Sequence, residues 1–238
     1  MSALYFYAKN GYNIKCDCGS AKRGTIRYQK KIKVRGETMY TCAKCNVLAC
    51  GSQDPAVREK MPKNCPMREK EKMDGAYEKY ALEENHEFYV SCSEIEGEGY
   101  CQWPRLKETV EFCKKMGYKK IGLAFCRGLR KEARVVADLF TAQGFDVVSV
   151  ICKTGGFPKE SVGIPKEPMC NPIAQAEFLN SQETEFNIAL GLCVGHDSMF
   201  YKYSKQMVTT LVAKDRVLAH NPCGAIYCAE GYFKKRLQ

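Results

Sequence analysis

Beyond Pro104 the apolar positions follow two alternating periods. "KKIGLAFC" (119–126), "FDVVSVIC" (145–152), "FNIALGLC" (186–193) and "MVTTLVA" (207–213) are short, nearly continuous apolar runs, the pattern of strands buried on both faces. Between them lie "RLKETVEFCKKMG" (105–117), "RGLRKEARVVADLFTAQG" (127–144) and "NPIAQAEFLNSQ" (171–182), where apolar residues recur every three or four positions, as on a helix with one buried stripe. The second of these stops at Gly144, and the third opens with Asn171 as a cap and Pro172 in the first turn. "HDSMFYKYSK" (196–205) and "NPCGAIYCAEGYF" (221–233), where Asn221 and Pro222 repeat the Asn-Pro start, complete the alternation. Strand-helix alternation predicts an α/β domain over 104–238, with a Rossmann-like or flavodoxin-like parallel sheet of about four strands covered on both faces. Within the long connection 153–170, "KTGGFPKE" (153–160) reads as a flexible loop placed to serve as a lid.

Upstream the pattern changes. Residues 68–103 are rich in Lys and Glu and predict a helical connector of two helices. Met73, Tyr77 and Tyr80, and then Phe88, Cys92 and Ile95, fall at helical spacing, so each trio is assigned to a packing stripe and Cys92 to the core. Residues 39–67 form a compact cysteine-rich module, and residues 1–38 a basic extension.

The charge balance narrows the partners. The net charge is +10, but residues 1–38 carry nine Lys or Arg against two acidic residues, and the remaining 200 are close to balance with 28 and 25. The extension is therefore read as a solvated, disordered arm. Alternatively "KVRGETM" (33–39) is a translated leader before a native start at Met39, and residues 1–38 are not native. Nucleic acid is a disfavoured partner. There is no run of 18 apolar residues, and "MSALYFYAKN" lacks the layout of a secretory signal, so no membrane association and a cytoplasmic location are expected. In a reducing compartment 15 cysteines mean metal binding or thiol chemistry where they are grouped, and small buried hydrophobes where they are scattered.

Two groups stand out. Cys42, Cys45, Cys50 and Cys65 include a Cys-x2-Cys turn, which aims two thiolates at one ion, and two later sulfurs complete a tetrahedron. A structural zinc site is the first choice and an iron–sulfur cluster the second, since Cys-Pro also occurs in cluster ligation. The other group is Cys126, Cys152 and Cys193, each placed at the last residue of a predicted parallel strand. If the strand order is 2-1-3-4, they are neighbours at about 4.8 Å spacing on the sheet edge where α/β proteins place their sites. Cys170, before the Asn-Pro helix start, is the candidate fourth ligand, favoured there by the helix dipole. His196 and Asp197 start the next helix on the same edge and are the candidate proton-transfer pair, with Asp197 fixing the histidine tautomer. His220 occupies the equivalent place after the fourth strand and is a further candidate ligand. Lys153, Lys214, Asp215 and Arg216 follow strand ends and are candidates to hold an anionic substrate, although surface solvation explains each singly. Cys223 is a possible extra ligand, Cys101, Cys113 and Cys228 are assigned to structure, and Cys16 with Cys18 makes at most a loose pair. The strand-end turn "CRGLRKEA" lacks the glycine pattern of a dinucleotide site, and there is no Walker-type loop.

From Met39 to nearly the end the chain resembles a family of uncharacterised bacterial and archaeal proteins, domain of unknown function 1847, to which metal binding is ascribed. The resemblance lies in "CAKCNVLAC" with "KNCP", "MGYKKIGLAFCRGLRKEA", "GFDVVSVICKTG", "CNPIAQAEFLN", "GLCVGHDSMF" and "KDRVLAHNP". It implies metal binding through the N-terminal cysteines and places Cys126, Cys152, Cys170, Cys193, His196 and His220 within its motifs, but it supplies no reaction. The expectation is a metal-binding protein with two thiol sites, acting as a metalloenzyme or redox protein on an unidentified small-molecule or redox partner. The alternatives are a non-catalytic sensing or carrier protein and a nucleic-acid-binding module.

Overall fold

The computed structural model describes residues 39–165 and 168–237, so the basic extension, with Cys16 and Cys18, lies outside the described residues. The chain divides into two compact units, Met1–Glu69 and Lys70–Gln238.

In the first unit the described residues form short 3-10 turns at Cys42–Lys44, Ala49–Gly51 and Pro66–Arg68 and one helical turn, α1 (Pro55–Glu59). The Asp54 carboxylate caps α1 by accepting from the Ala56 amide at 2.9 Å, and Pro55 occupies the first helical position. The Asn64 side-chain amide donates to Met39 O and to Thr41 Oγ1, both at 2.9 Å, and so ties the segment before Cys42 to the segment before Cys65.

The second unit is the α/β body. Helices α2 (Lys70–Glu78), α3 (Glu83–Gly99) and α4 (Arg105–Lys115) lead into β1 (Lys120–Phe125), α5 (Arg130–Ala142), β2 (Asp146–Ile151), α6 (Pro172–Ser181), β3 (Phe186–Leu190), α7 (His196–Tyr203), β4 (Val208–Val212), α8 (Cys223–Tyr227) and α9 (Lys234–Leu237). All strand pairs are parallel, in the order β2-β1-β3-β4. The architecture is the expected α/β sheet of Rossmann or flavodoxin type.

Side chains alternate across the pleat and separate two cores. Ile121 and Leu123 of β1 join Ile188 and Leu190 of β3, Phe112 of α4 and Phe140 of α5 on one face. Ala124 and Ala189 point the other way, toward Ala176 and Leu179 of α6 and Phe200 of α7. Asn171 caps α6 as expected, accepting from the Ala174 amide at 3.0 Å. Arg105 covers the edge strand β4, donating to Thr210 O and Thr209 Oγ1 at 2.8 Å each.

Four sequence expectations need correction. Cys92 is exposed; the buried face of α3 carries Ser91, Ile95 and Gly99. Two small residues there let the helix approach closely, and a Cβ on Gly99 would lie 2.6 Å from the Trp103 ring. Met73, Tyr77 and Tyr80 are likewise exposed, so α2 has no buried stripe. Cys193 is not a strand-end residue, because β3 stops at Leu190. Gly191 turns the chain there at a φ of 63°, and Leu129 fills the space a side chain would need. Finally, Asn221 caps nothing: the last predicted helix is only the short α8, with no side-chain cap bond.

Candidate thiol-lined site

The parity that sorts the two cores also aims the cysteines. Gly122, Ala124 and Cys126 share one face of β1, and Val148, Val150 and Cys152 share the same face of β2. The ladder pairs Phe125 with Ile151, and the Cys152 amide donates to Phe125 O at 2.9 Å, so Cys126 and Cys152 leave the sheet side by side. Cys170 is brought to them by the chain before α6, where the Asn171 amide donates to Cys152 O at 2.7 Å. Cys126 and Cys152 are buried, Cys170 is half-buried against the same cluster, and the Cys152 thiol interacts with both Cys126 and Cys170.

Cationic and N–H groups surround these sulfurs. The Arg127 amide donates to Cys152 Sγ at 3.3 Å. Burial works to raise the Cys126 thiol, but the Gly128 N–H and the Lys214 ammonium outweigh it and hold the group below the ordinary thiol range. Burial, with Cys170 and Cys126 alongside, pushes Cys152 up to about 11 against the Arg127 N–H. Cys193, beyond the Gly191 turn, is half-buried and accepts from Arg216 Nη2 at 3.0 Å. That sulfur holds Arg216 above its usual value, and Cys126 and Cys170 act on the same guanidinium. Cys126, Cys152 and Cys170 thus pack in one cluster, and Arg216, bonded to Cys193, lies near it. The role assigned from sequence to Lys214 and Arg216 was holding an anionic substrate; the groups they meet in the fold are the sulfurs of Cys126 and Cys193.

The other candidates play different parts. His196 is half-buried; burial and the nearby Lys159 and Lys153 lower its pKa against Asp197. The Asp197 carboxylate accepts from the Ser198 amide at 2.7 Å, a helix-start contact. His220 sits at a φ of 64° and exchanges two bonds with Asp215: its Nδ1 accepts from the Asp215 amide at 3.1 Å, and its own amide donates to Asp215 O at 2.8 Å. Its ring proton is therefore on Nε2, and the imidazole closes the 215–220 turn. The Asp215 carboxylate accepts from the Val217 and Leu218 amides in the same turn. Lys153 donates to Pro168 O, and Pro158 pairs with Pro168 in an antiparallel bridge, so the loop assigned as a lid folds back on itself. Cys113 is fully buried, while Cys101, Cys223 and Cys228 are exposed.

Gln175 escaped the sequence reading. Fully buried in α6, it donates from Nε2 to Val150 O at 2.7 Å and to Phe125 O at 3.3 Å, while its Oε1 has no protein partner among the described residues. Its only sequence signal is a polar residue on an otherwise apolar helix stripe.

In the first unit Cys42 and Cys50 are exposed and Cys45 and Cys65 half-buried. The Cys45 amide donates to Cys42 O at 3.0 Å, the tight turn expected of Cys-x2-Cys. Among the described residues no three His, Cys, Asp or Glu side chains stand in position to hold an ion, in either unit. Thiols are ligands of zinc and of iron–sulfur clusters: in the first unit Asn64 ties the segment before Cys42 to that before Cys65, and in the second Cys126, Cys152 and Cys170 pack in one cluster, with Lys214 beside Cys126 and Arg216 bonded to Cys193. No helix of the described residues is long and apolar enough to cross a membrane.

A family described as "Protein of unknown function (DUF1847)" matches residues 65–211. That span holds Cys126, Cys152, Cys170, Cys193 and His196, whereas Cys42, Cys45, Cys50 and His220 fall outside it. An uncharacterised protein of Methanocaldococcus jannaschii is 43% identical over 203 residues, which covers 83% of this chain and 98% of the relative. No solved structure matches.

Proposed function

The chain belongs to this family of proteins of unknown function, and from that premise we propose that it is a metal-binding protein with two thiolate sites. Cys42, Cys45, Cys50 and Cys65 hold a structural zinc ion, with an iron–sulfur cluster as the second choice. Cys126, Cys152 and Cys170, with Cys193 as the fourth sulfur, hold a metal ion or iron–sulfur cluster at the C-terminal edge of the sheet. The observation that carries this reading is the packing of Cys126, Cys152 and Cys170, from three separate segments, into one cluster, with Lys214 beside Cys126.

A group bound at the edge site would supply Lewis acidity or electron transfer. The chain's own residues do the rest. Lys214 and the Gly128 N–H favour the ionised Cys126, and Arg216 orients Cys193. His196, kept neutral more readily by burial and by Lys159 and Lys153, is placed to accept a proton from a small ligand. The protein on this reading is a cytoplasmic metalloenzyme or redox protein. A non-catalytic sensor or carrier uses the same thiols without turnover, and a nucleic-acid-binding role rests only on the basic residues 1–38 and the Cys-x2-Cys knuckle of Cys42 and Cys45.

Metal analysis of anaerobically purified protein separates the sites. Wild type is expected to carry metal at both, Cys45→Ser to lose only the first, and Cys126→Ser only the second. Wild-type protein with no bound metal above background overturns the reading.

A further inference from the structure

The edge site brings together more than a ligand set. Cys126 and Cys152 each follow the last residue of neighbouring parallel strands whose ladder is in register up to Phe125 and Ile151. Neighbouring strands lie about 4.8 Å apart, inside the roughly 4.4–6.8 Å Cα separation that a disulfide spans. Their side chains leave the same face of the sheet into one cluster. The surroundings of the two are unequal. A Cβ built on Gly128 would lie 3.4 Å from Lys214 Nζ and 3.9 Å from Cys126 Sγ, so the ammonium and the sulfur flank the same point. Cys152 lies deeper, held by the Arg127 amide.

We propose that Cys126 and Cys152 are a redox-active dithiol that reduces disulfide substrates, with Cys126 attacking and Cys152 resolving. The proposal rests on the reading that these thiols converge at one edge of the sheet. Cys126, its proton given to solvent, attacks one sulfur of R–S–S–R. A Cys126–S–S–R bond forms, the R–S–S–R bond breaks, and the departing thiolate takes a proton from solvent. Cys152 then attacks Cys126 Sγ and passes its proton to the second leaving sulfur. The protein dithiol loses two electrons and two protons and becomes the Cys126–Cys152 disulfide, while the substrate becomes two thiols. Metal binding at this edge and the disulfide exclude each other, because one pair of sulfurs serves both.

The test uses the full chain, reduced and treated with a chelator, then equilibrated with glutathione buffers of rising oxidised fraction, alkylated in acid and mapped by peptide mass spectrometry. The expected result is a Cys126–Cys152 disulfide in wild type and, in Cys152→Ser, a glutathione adduct on Cys126. Cys126 and Cys152 remaining alkylatable in the most oxidising buffer, or a link from Cys152 to Cys170 instead, overturns the proposal; the wild-type arm needs no variant to fold. Zinc added to the reduced chain before the oxidant separates the two readings. A disulfide that forms at the same rate with zinc present sinks metal binding at this edge and leaves the dithiol standing. Zinc retained at this edge by protein that never forms the disulfide after stripping sinks the dithiol alone.

Discussion

Cys126 and Cys152 are adjacent thiols of the same strand-end type, and what surrounds each sets its chemistry. Lys214 and the Gly128 N–H favour the Cys126 thiolate over the cost of burial, whereas Cys152, deeper and beside two other sulfurs, is pushed up to about 11. In reduced, chelated protein, iodoacetamide is expected to label Cys126 at lower pH than an ordinary cysteine and to spare Cys152 through pH 9. Lys214→Gln removes a stabilising cation, so it shifts the Cys126 profile to higher pH; an unshifted profile would show that the ammonium does not act on this sulfur. Cys113 supplies an independent check far from any site. Burial pushes it from 9.0 to about 12, so the unfolded chain ionises first as pH rises. Its contribution to stability is whole below pH 9 and declines toward about 12, by up to about 1.4 kcal/mol per pH unit. Urea midpoints should show Cys113→Ala losing that part of the decline while keeping the part due to Cys152.

The periodicity of the chain contained the strands, their helices and the parallel pairing, because buried parallel strands are bounded apolar runs with little else to become. Strand ends were less legible. "FNIALGLC" is apolar to its last residue, yet the strand ends at Leu190, since Gly191 takes a left-handed turn that periodicity does not register. Gly191→Ala is therefore expected to cost roughly 2 kcal/mol or more, from a strained φ and a clash with Leu129, and to move Cys193 away from Arg216. Denaturant unfolding and the alkylation rate of Cys193 would measure both effects. The phase of α3 was misread for another reason: its core face contains Ser91 and Gly99, which a search for apolar residues passes over. Ile95→Ala should cost about 2–4 kcal/mol, whereas Tyr77→Ala, on an exposed face of α2, should change stability within about 0.5 kcal/mol.

On the proposed reading the two units of the molecule depend on metal to different degrees. The α/β body has two apolar cores and needs no further cross-link to fold. In the first unit Ala49 is the only buried hydrophobic residue described, too little to order a segment without another source of stability. Chelation should thus make residues 39–69 sensitive to protease while Lys70–Gln238 survives intact; equal resistance of the two would remove the structural role for metal. The neighbouring places of Cys126 and Cys152 were legible in outline, because strand ends of one sheet share an edge, whereas Cys193, expected beside them, lies beyond the Gly191 turn. The contact of Lys214 and Arg216 with sulfur was not, because it depends on how the 213–222 loop folds around Asp215 and His220. X-ray absorption at the metal edge of Cys45→Ser protein, which keeps only the edge site, tests the central claim most directly. The account predicts a shell of sulfur atoms at about 2.3 Å that shrinks in the Cys45→Ser/Cys152→Ser double variant. A shell of oxygen and nitrogen alone, or a sulfur shell unchanged by the second substitution, would contradict it.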